Sequence, residues 1–120
     1  MKAAITAQGT DLASPVDPRF GRAKAFVLVD TDTGQATAHD NSQNLNALQG
    51  AGIQAAQNVI DLGAEAIVTG HVGPKAFRTL QAGGVKVYVG AQGSVRDAVE
   101  ALKAGRLSLV DKPDVEGHWL

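Results

Sequence analysis

Short apolar runs separated by polar stretches fill the first forty residues, a pattern typical of a strand-rich segment. Residues 2–8 and 25–30 predict two strands, and residues 35–40 predict a weaker third. The polar turn Asp32-Thr33-Gly34 lies between the second and third strands, so we expect an antiparallel hairpin. Residues 10–22 show no periodicity, and at this length the connection indicates either disorder or a functional loop.

Helical spacing replaces the strand pattern after a polar loop over residues 41–46. Three helices are predicted, which begin near Gly50, at Pro74 and after the N-cap residue Ser94. Strands over 64–70 and 85–89 lie between them. The first helix ends at a glycine, and its apolar face is predicted to contain Ile53, Ala56, Val59, Ile60 and Gly63.

The resulting order, β-β-β-α-β-α-β-α, defines the fold class. Helical crossovers after the third, fourth and fifth strands predict a mostly parallel sheet covered on both faces, with the hairpin supplying one antiparallel strand. We therefore expect a three-layer α/β domain with a mixed five-stranded sheet. We assign residues 1–110 to this single domain and residues 111–120 to a C-terminal tail.

Composition narrows the chemistry that the domain can perform. The 120 residues contain no cysteine and only one methionine, so thiolate-bound metals and catalytic thiols are excluded. A net charge of -1 provides no general basic surface for nucleic acid or an anionic membrane. No apolar stretch approaches the roughly 18 residues of a membrane span. We expect a cytoplasmic protein with neither a nucleic-acid nor a membrane partner.

Three loops at the carboxyl ends of predicted parallel strands carry glycine together with a cation. These ends share one edge of a sheet, where helix N-termini provide unpaired N–H groups for an anion. Arg19, Arg22 and Lys24 follow the first strand, His71 and Lys75 follow the fourth, and Arg96 follows the fifth. We therefore predict a local anion site. For any one loop the plainer interpretation is that its glycines shape a turn and that its cation is a solvated surface side chain.

Other common sites lack their sequence signatures. The chain has neither a phosphate-binding P-loop nor a dinucleotide-binding glycine motif. His39, His71 and His118 lack metal-ligand spacing, and no serine lies in a nucleophile elbow.

Several segments together resemble the dinitrogenase iron–molybdenum cofactor biosynthesis family, the nitrogenase accessory factors. They are Ser14-Pro15-Val16-Asp17-Pro18-Arg19-Phe20-Gly21-Arg22-Ala23, Gly50-Ala51-Gly52-Ile53-Gln54-Ala55-Ala56, Val68-Thr69-Gly70-His71-Val72-Gly73-Pro74-Lys75-Ala76-Phe77 and Val85-Lys86-Val87-Tyr88-Val89-Gly90. The resemblance extends to Leu107 and implies a ribonuclease H-like chain path. Many relatives have histidine where this chain has Arg19, so we expect no direct protein ligand to the metal.

The resemblance implies a non-enzymatic carrier or assembly protein for a metal–sulfide cluster. A cysteine-free single-domain member of this kind implies a molybdenum–copper sulfide cluster, held non-covalently, with a cluster-donor or acceptor protein as partner. Phe20 and Val72 are expected to supply an apolar wall. The predicted binding residues are Arg19, Phe20, Gly21, Arg22, Lys24, His71, Val72, Gly73, Lys75, Gly93, Ser94 and Arg96.

Two other functions remain open from the sequence. Helix N-termini attract phosphate as they attract a thiometallate, so an enzyme acting on a phosphorylated or nucleotide substrate would use the same rim. The long loop over 10–22 is also compatible with an adaptor that docks on another protein.

Overall fold

The computed structural model describes residues 1–41 and 51–110, which form a six-stranded mixed sheet covered by helices on both faces. The strands are β1 (Lys2–Ala7), β2 (Ala25–Asp30), β3 (Ala36–Asp40), β4 (Ala66–Val68), β5 (Lys86–Val89) and β6 (Ser108–Val110). The helices are α1 (Ala51–Asp61), α2 (Pro74–Ala82) and α3 (Val95–Lys103), and Phe20–Arg22 forms one short 3-10 turn. The three-layer α/β prediction is confirmed.

The strand order across the sheet is β3-β2-β1-β4-β5-β6. β1, β4 and β5 run parallel at the centre, and β2 pairs antiparallel with both β1 and β3, as the predicted hairpin requires. The prediction of five strands is wrong by one, because β6 pairs antiparallel with the end of β5. Three residues, two of them exposed, are too short a run to show a strand period in the sequence.

Two apolar layers hold the helices on the sheet. α1 and α2 bury Ala56, Val59 and Leu80 against one face of the central strands. α3 buries Val95 and Ala98 against the other face. Alternate side chains of β1 and β2 pack in the two layers, as expected for a sheet buried on both sides.

The segment over residues 10–22 is an ordered, paired structure. Isolated β-bridges join Val16 to Ala7, Pro15 to Ser94, and Arg19 to His71. Of the two interpretations offered by its length, disorder is therefore wrong. Residues 42–46 of the predicted polar loop and the predicted tail 111–120 lie outside the described residues.

Candidate functional site

A small buried polar network fixes the segment that carries the two arginines. The Thr6 hydroxyl, at the end of β1, donates to the backbone oxygen of Asp17 at 2.6 Å and lies 2.8 Å from the Thr69 hydroxyl. The backbone N–H of Asp17 donates back to the Thr6 oxygen at 2.9 Å. Both threonines and Asp17 are buried, so the segment is attached to the carboxyl ends of β1 and β4 at one point.

Close packing against Gly70 attaches the same segment a second time. The backbone N–H of His71 donates to the Pro18 oxygen at 3.0 Å. A Cβ atom at position 70 would lie 2.6 Å from the Cα and O atoms of Pro18, which is closer than real Cβ contacts allow. Glycine is therefore required at position 70, and the contact places Arg19 next to His71.

These attachments create an open cleft of about 560 Å³ between the segment and the first turns of α1 and α2, named the α1–α2 cleft below. Its lining residues are Arg19, Phe20, Gly21, Arg22, Gly52, Ile53, His71, Gly73, Pro74, Lys75 and Ala76. Seven of the twelve predicted binding residues come together here. Among the described residues, no acidic side chain lines the cleft.

Arg19 occupies the mouth of the cleft in a restrained position. Its side chain is 61% exposed, and its Nε lies 3.4 Å from Oδ1 of the buried Asp17 carboxylate. The same oxygen accepts the Arg19 backbone N–H at 2.9 Å. Because the carboxylate contacts Nε, the terminal nitrogens of the guanidinium stay available to an anion in the cleft.

The first turn of α2 adds backbone donors to the cleft. Gly73 is the N-cap without a side-chain hydrogen bond, and Pro74 follows it. Phe77 is the first residue of the helix to donate to Gly73. Within the described ranges, the backbone N–H groups of Lys75 and Ala76 have no acceptor, so both are available at the positive end of the helix dipole.

A second groove of about 490 Å³, named the Asp17 groove, adjoins the cleft and shares both arginines with it. It is lined by Gln8, Asp17, Arg19, Arg22 and Lys24. The structure therefore places Lys24 beside the cleft and outside its lining. Val72 is buried and also lies outside the cleft, so of the two predicted wall residues only Phe20 lines it.

The predicted residues at the start of α3 lie outside both cavities. The chain over residues 12–16 covers this helix end: Ser14 and Leu12 oxygens accept the backbone N–H groups of Val95 and Arg96, each at 2.9 Å. The Gly93 oxygen accepts from Val16. The backbone donors that the sequence assigned to an anion are thus used to anchor the long segment.

Ser94 closes a capping box with Asp97. Its hydroxyl accepts the Asp97 N–H at 3.1 Å, and its own N–H donates to the Asp97 carboxylate at 3.0 Å. That backbone hydrogen bond, followed by the one from the Ser94 side chain, lowers the pKa of Asp97 below its usual value of 3.8. Asp97 therefore contributes stability above its unfolded pKa, and this contribution is lost as the pH falls through the lower folded pKa.

Ser94→Ala should lower the free energy of unfolding by about 1 kcal/mol at neutral pH, because the capping oxygen is removed. Urea denaturation measures this value. Comparing wild type with Asp97→Asn between about pH 5 and pH 3 should show the stability gap narrowing as Asp97 becomes protonated. A gap that widens toward low pH would contradict the capping role of the ionised carboxylate.

Four residues that line the cleft are not among the binding residues predicted from the sequence: Gly52, Ile53, Pro74 and Ala76. Ile53 was predicted on the buried helix face, but it is 41% exposed and lines the cleft. Gly52 allows the close approach of α1 to α2, since a Cβ there would lie 3.3 Å from the Ala76 Cβ. The signal in the sequence that could have indicated them is a glycine followed by a large apolar residue in the first turn of a helix.

Within the described ranges, no group of three or more histidine, aspartate or glutamate side chains has the arrangement to hold a metal ion. No helix in those ranges is both long and apolar enough to span a membrane. The residues that line the cleft offer positive charge, backbone N–H groups and apolar surface.

Solved structures with a closely similar fold are known. The apo form of the orange protein from Desulfovibrio gigas has a TM-score of 0.90 and 44% identity over 94% of this chain and 95% of its own. A NifB-like protein of the DUF35 family from Thermotoga has a TM-score of 0.82 and 36% identity, covering 97% of this chain and 98% of its own.

Sequence comparison gives the same assignment. The family model described as dinitrogenase iron-molybdenum cofactor matches residues 1–105. The chain belongs to this family. A relative from Methanocaldococcus jannaschii, described only as uncharacterized, is 27% identical over 103 residues, which cover 80% of this chain and 87% of the relative. The resemblance found in the sequence motifs is thereby confirmed.

Proposed function

We propose that this chain is a non-enzymatic carrier that binds an anionic, molybdenum-containing metal–sulfide cluster in the α1–α2 cleft without covalent attachment. The observation that carries the proposal is the combination of cations and apolar surface in one cavity. Arg19, Arg22 and Lys75 line the cleft together with Phe20 and Ile53, and no acidic side chain of the described residues lines it. Membership of the cofactor family supports a cluster as the cargo.

The mixed lining suits a thiometallate better than an oxyanion. Sulfide ligands are large and polarisable, so they pack favourably on apolar side chains while the overall charge attracts guanidinium and ammonium groups. A cluster that brings its own sulfide needs no protein thiolate, which agrees with a chain that contains no cysteine. The protein supplies position and charge, and the cargo supplies its own metal ligands.

Each side of the cleft has a separate role in this proposal. Arg19 and Arg22 approach from the long segment, with Arg19 restrained by Asp17. Lys75 and the first N–H groups of α2 approach from the opposite side. His71, which is joined to Arg19 by a β-bridge, adds a further polar contact. We propose a molybdenum–copper sulfide cluster as the specific cargo, delivered to or received from another protein through the open mouth.

Reconstitution tests the carrier function directly. The purified chain is mixed anaerobically with tetrathiomolybdate and a copper salt, desalted, and examined by visible spectroscopy and elemental analysis. We expect a coloured protein that retains molybdenum and copper at a fixed ratio to the chain. A colourless, metal-free protein after desalting would overturn the proposal.

Salt dependence tests the electrostatic part of the proposal. The cationic groups are partly exposed, so screening at high ionic strength should increase the amount of cluster lost on desalting. We expect a graded loss between low salt and about 1 M salt, where the screening length falls to about 3 Å. Retention that does not depend on salt would show that charge contributes little to binding.

A further inference from the structure

The Asp17 groove contains a buried carboxylate oxygen that the proposed carrier function does not use. The Asp17 side chain is only 3% exposed, and its Oδ1 takes both contacts from Arg19. No described residue donates a hydrogen bond to Oδ2. Every fully enclosed polar side-chain atom of the described residues has a partner. Oδ2 is therefore not fully enclosed, and Asp17 is one of the residues that line the groove.

The surroundings of this oxygen attract anions, although the oxygen itself repels them. Arg19, Arg22 and Lys24 line the groove with the Gln8 amide, so a small anion gains from three positive charges. An ionised carboxylate can only accept hydrogen bonds. An anion without a proton cannot donate a hydrogen bond to Oδ2, so two acceptor oxygens would face each other. An anion that keeps a hydroxyl proton can donate that hydrogen bond.

We propose that the Asp17 groove is a binding site for a small tetrahedral oxyanion that carries a proton, of which inorganic phosphate is the representative. At neutral pH phosphate keeps at least one proton, while sulfate and molybdate keep none. Phosphate therefore satisfies both the cations and Oδ2, and the other two anions leave Oδ2 opposed by an oxygen. A site built to bind a hydroxyl group rejects analogues that lack it, because its buried polar group is then unpaired.

This site is separate from the cluster cleft and stands independently of the carrier function. The two cavities share Arg19 and Arg22, but Gln8, Asp17 and Lys24 line only the groove. The buried carboxylate would disfavour a thiometallate, which presents no proton. In this proposal Lys24, which does not line the cleft, contacts the anion bound in the groove.

Anion titration of the full chain without cluster tests the proposal. Amide chemical shifts are followed by NMR at neutral pH and constant ionic strength while sodium phosphate or sodium sulfate replaces chloride. We expect phosphate to bind at least about tenfold more tightly than sulfate. The largest shifts should fall on the amides of Gln8, Arg19 and Lys24, and smaller ones on Gly52 and Lys75 in the cleft.

Two substitutions separate selection from simple charge. Asp17→Asn exposes an amide that can donate to either anion, so the phosphate-to-sulfate ratio should fall to near one. Lys24→Gln should weaken both anions by similar factors and leave the ratio intact. The backbone hydrogen bonds of Asp17 to Thr6 do not involve the carboxylate, and amide dispersion reports whether the variant remains folded.

Several outcomes would overturn the proposal. They are equal affinity for the two anions in wild type, binding of neither at millimolar concentration, and a preference that survives in folded Asp17→Asn. Should Asp17→Asn fail to fold, a ratio that falls to near one in Lys24→Gln would still overturn the proposal, because the preference would then come from the cation and not from Oδ2.

Discussion

Replacing Arg19 and Arg22 together by glutamine should remove most cluster retention while the chain stays folded. Both side chains line the cleft, and both are exposed, so their loss removes two positive charges without opening a core cavity. A hydrogen bond to a charged group contributes about 1.5–3 kcal/mol when desolvated and about 0.2–1 kcal/mol when exposed. We expect affinity for the thiomolybdate–copper cluster to fall by roughly tenfold to a hundredfold.

The matched control is Arg78→Gln with Arg96→Gln. It changes the net charge by the same amount at two exposed arginines that line neither the cleft nor the Asp17 groove. Spectroscopic titration after reconstitution should show near wild-type affinity for this control. Equal losses in both double variants would indicate that net charge alone governs binding, and an unaffected Arg19/Arg22 variant would place the cluster elsewhere.

Arg19 tests the geometry as well as the charge of the site. Its Nε faces the Asp17 carboxylate, which leaves the terminal nitrogens for the cargo. Lysine at this position keeps the charge but has no second nitrogen, so it cannot contact the carboxylate and the cargo at once. If Arg19→Lys binds the cluster with wild-type affinity, the restraint of Arg19 by Asp17 adds nothing to binding.

The sequence predicts the core of this fold well because its elements carry strong local signals. The apolar run of β1 and the turn before β3 place three strands, and the residues Pro74 and Ser94 mark the starts of α2 and α3. The predicted hairpin and the three-layer arrangement follow from these signals. β6 was missed because its pairing depends on the neighbouring strand β5 rather than on its own three residues.

The site was predicted less completely, because side-chain direction depends on tertiary contacts. Helical spacing places Ile53 on the buried face of α1, yet its side chain is 41% exposed and lines the cleft. Val72 shows the reverse case, since it is buried while the neighbouring His71 is exposed. No local pattern in the sequence distinguishes these two orientations.

The start of α3 shows why a helix N-terminus in the sequence does not define a binding site. Ser94 was correctly expected to cap the helix, and the structure shows the full capping box. The other donors are taken by Leu12 and Ser14 from a loop whose ordering the sequence did not settle. The α2 N-terminus differs because Gly73 and Pro74 supply no side-chain cap, so its donors stay available.

Gly70→Ala should destabilise the chain and weaken cluster retention together. The added methyl group would lie 2.6 Å from Pro18 backbone atoms, so the segment must move and the hydrogen bond from His71 to Pro18 is lost. Forcing an extra methyl group into a packed site typically costs about 1–3 kcal/mol. We expect a loss of that size in urea denaturation, and weaker retention because Arg19 moves with Pro18.

Gly73→Ala is the matched control for stability, because it adds the same methyl group three residues further along the same loop. A Cβ at position 73 has no atom within 4 Å, and φ is -72°, so the backbone accepts alanine. Alanine is a poorer N-cap than glycine, and we expect a cost below about 1 kcal/mol. If Gly70→Ala costs no more stability than Gly73→Ala and retains the cluster as well as wild type, the packing of Pro18 on Gly70 does not position the arginines. A large difference between the two variants would instead show that one close backbone contact holds the long segment, and Arg19 with it, beside the first turn of α2.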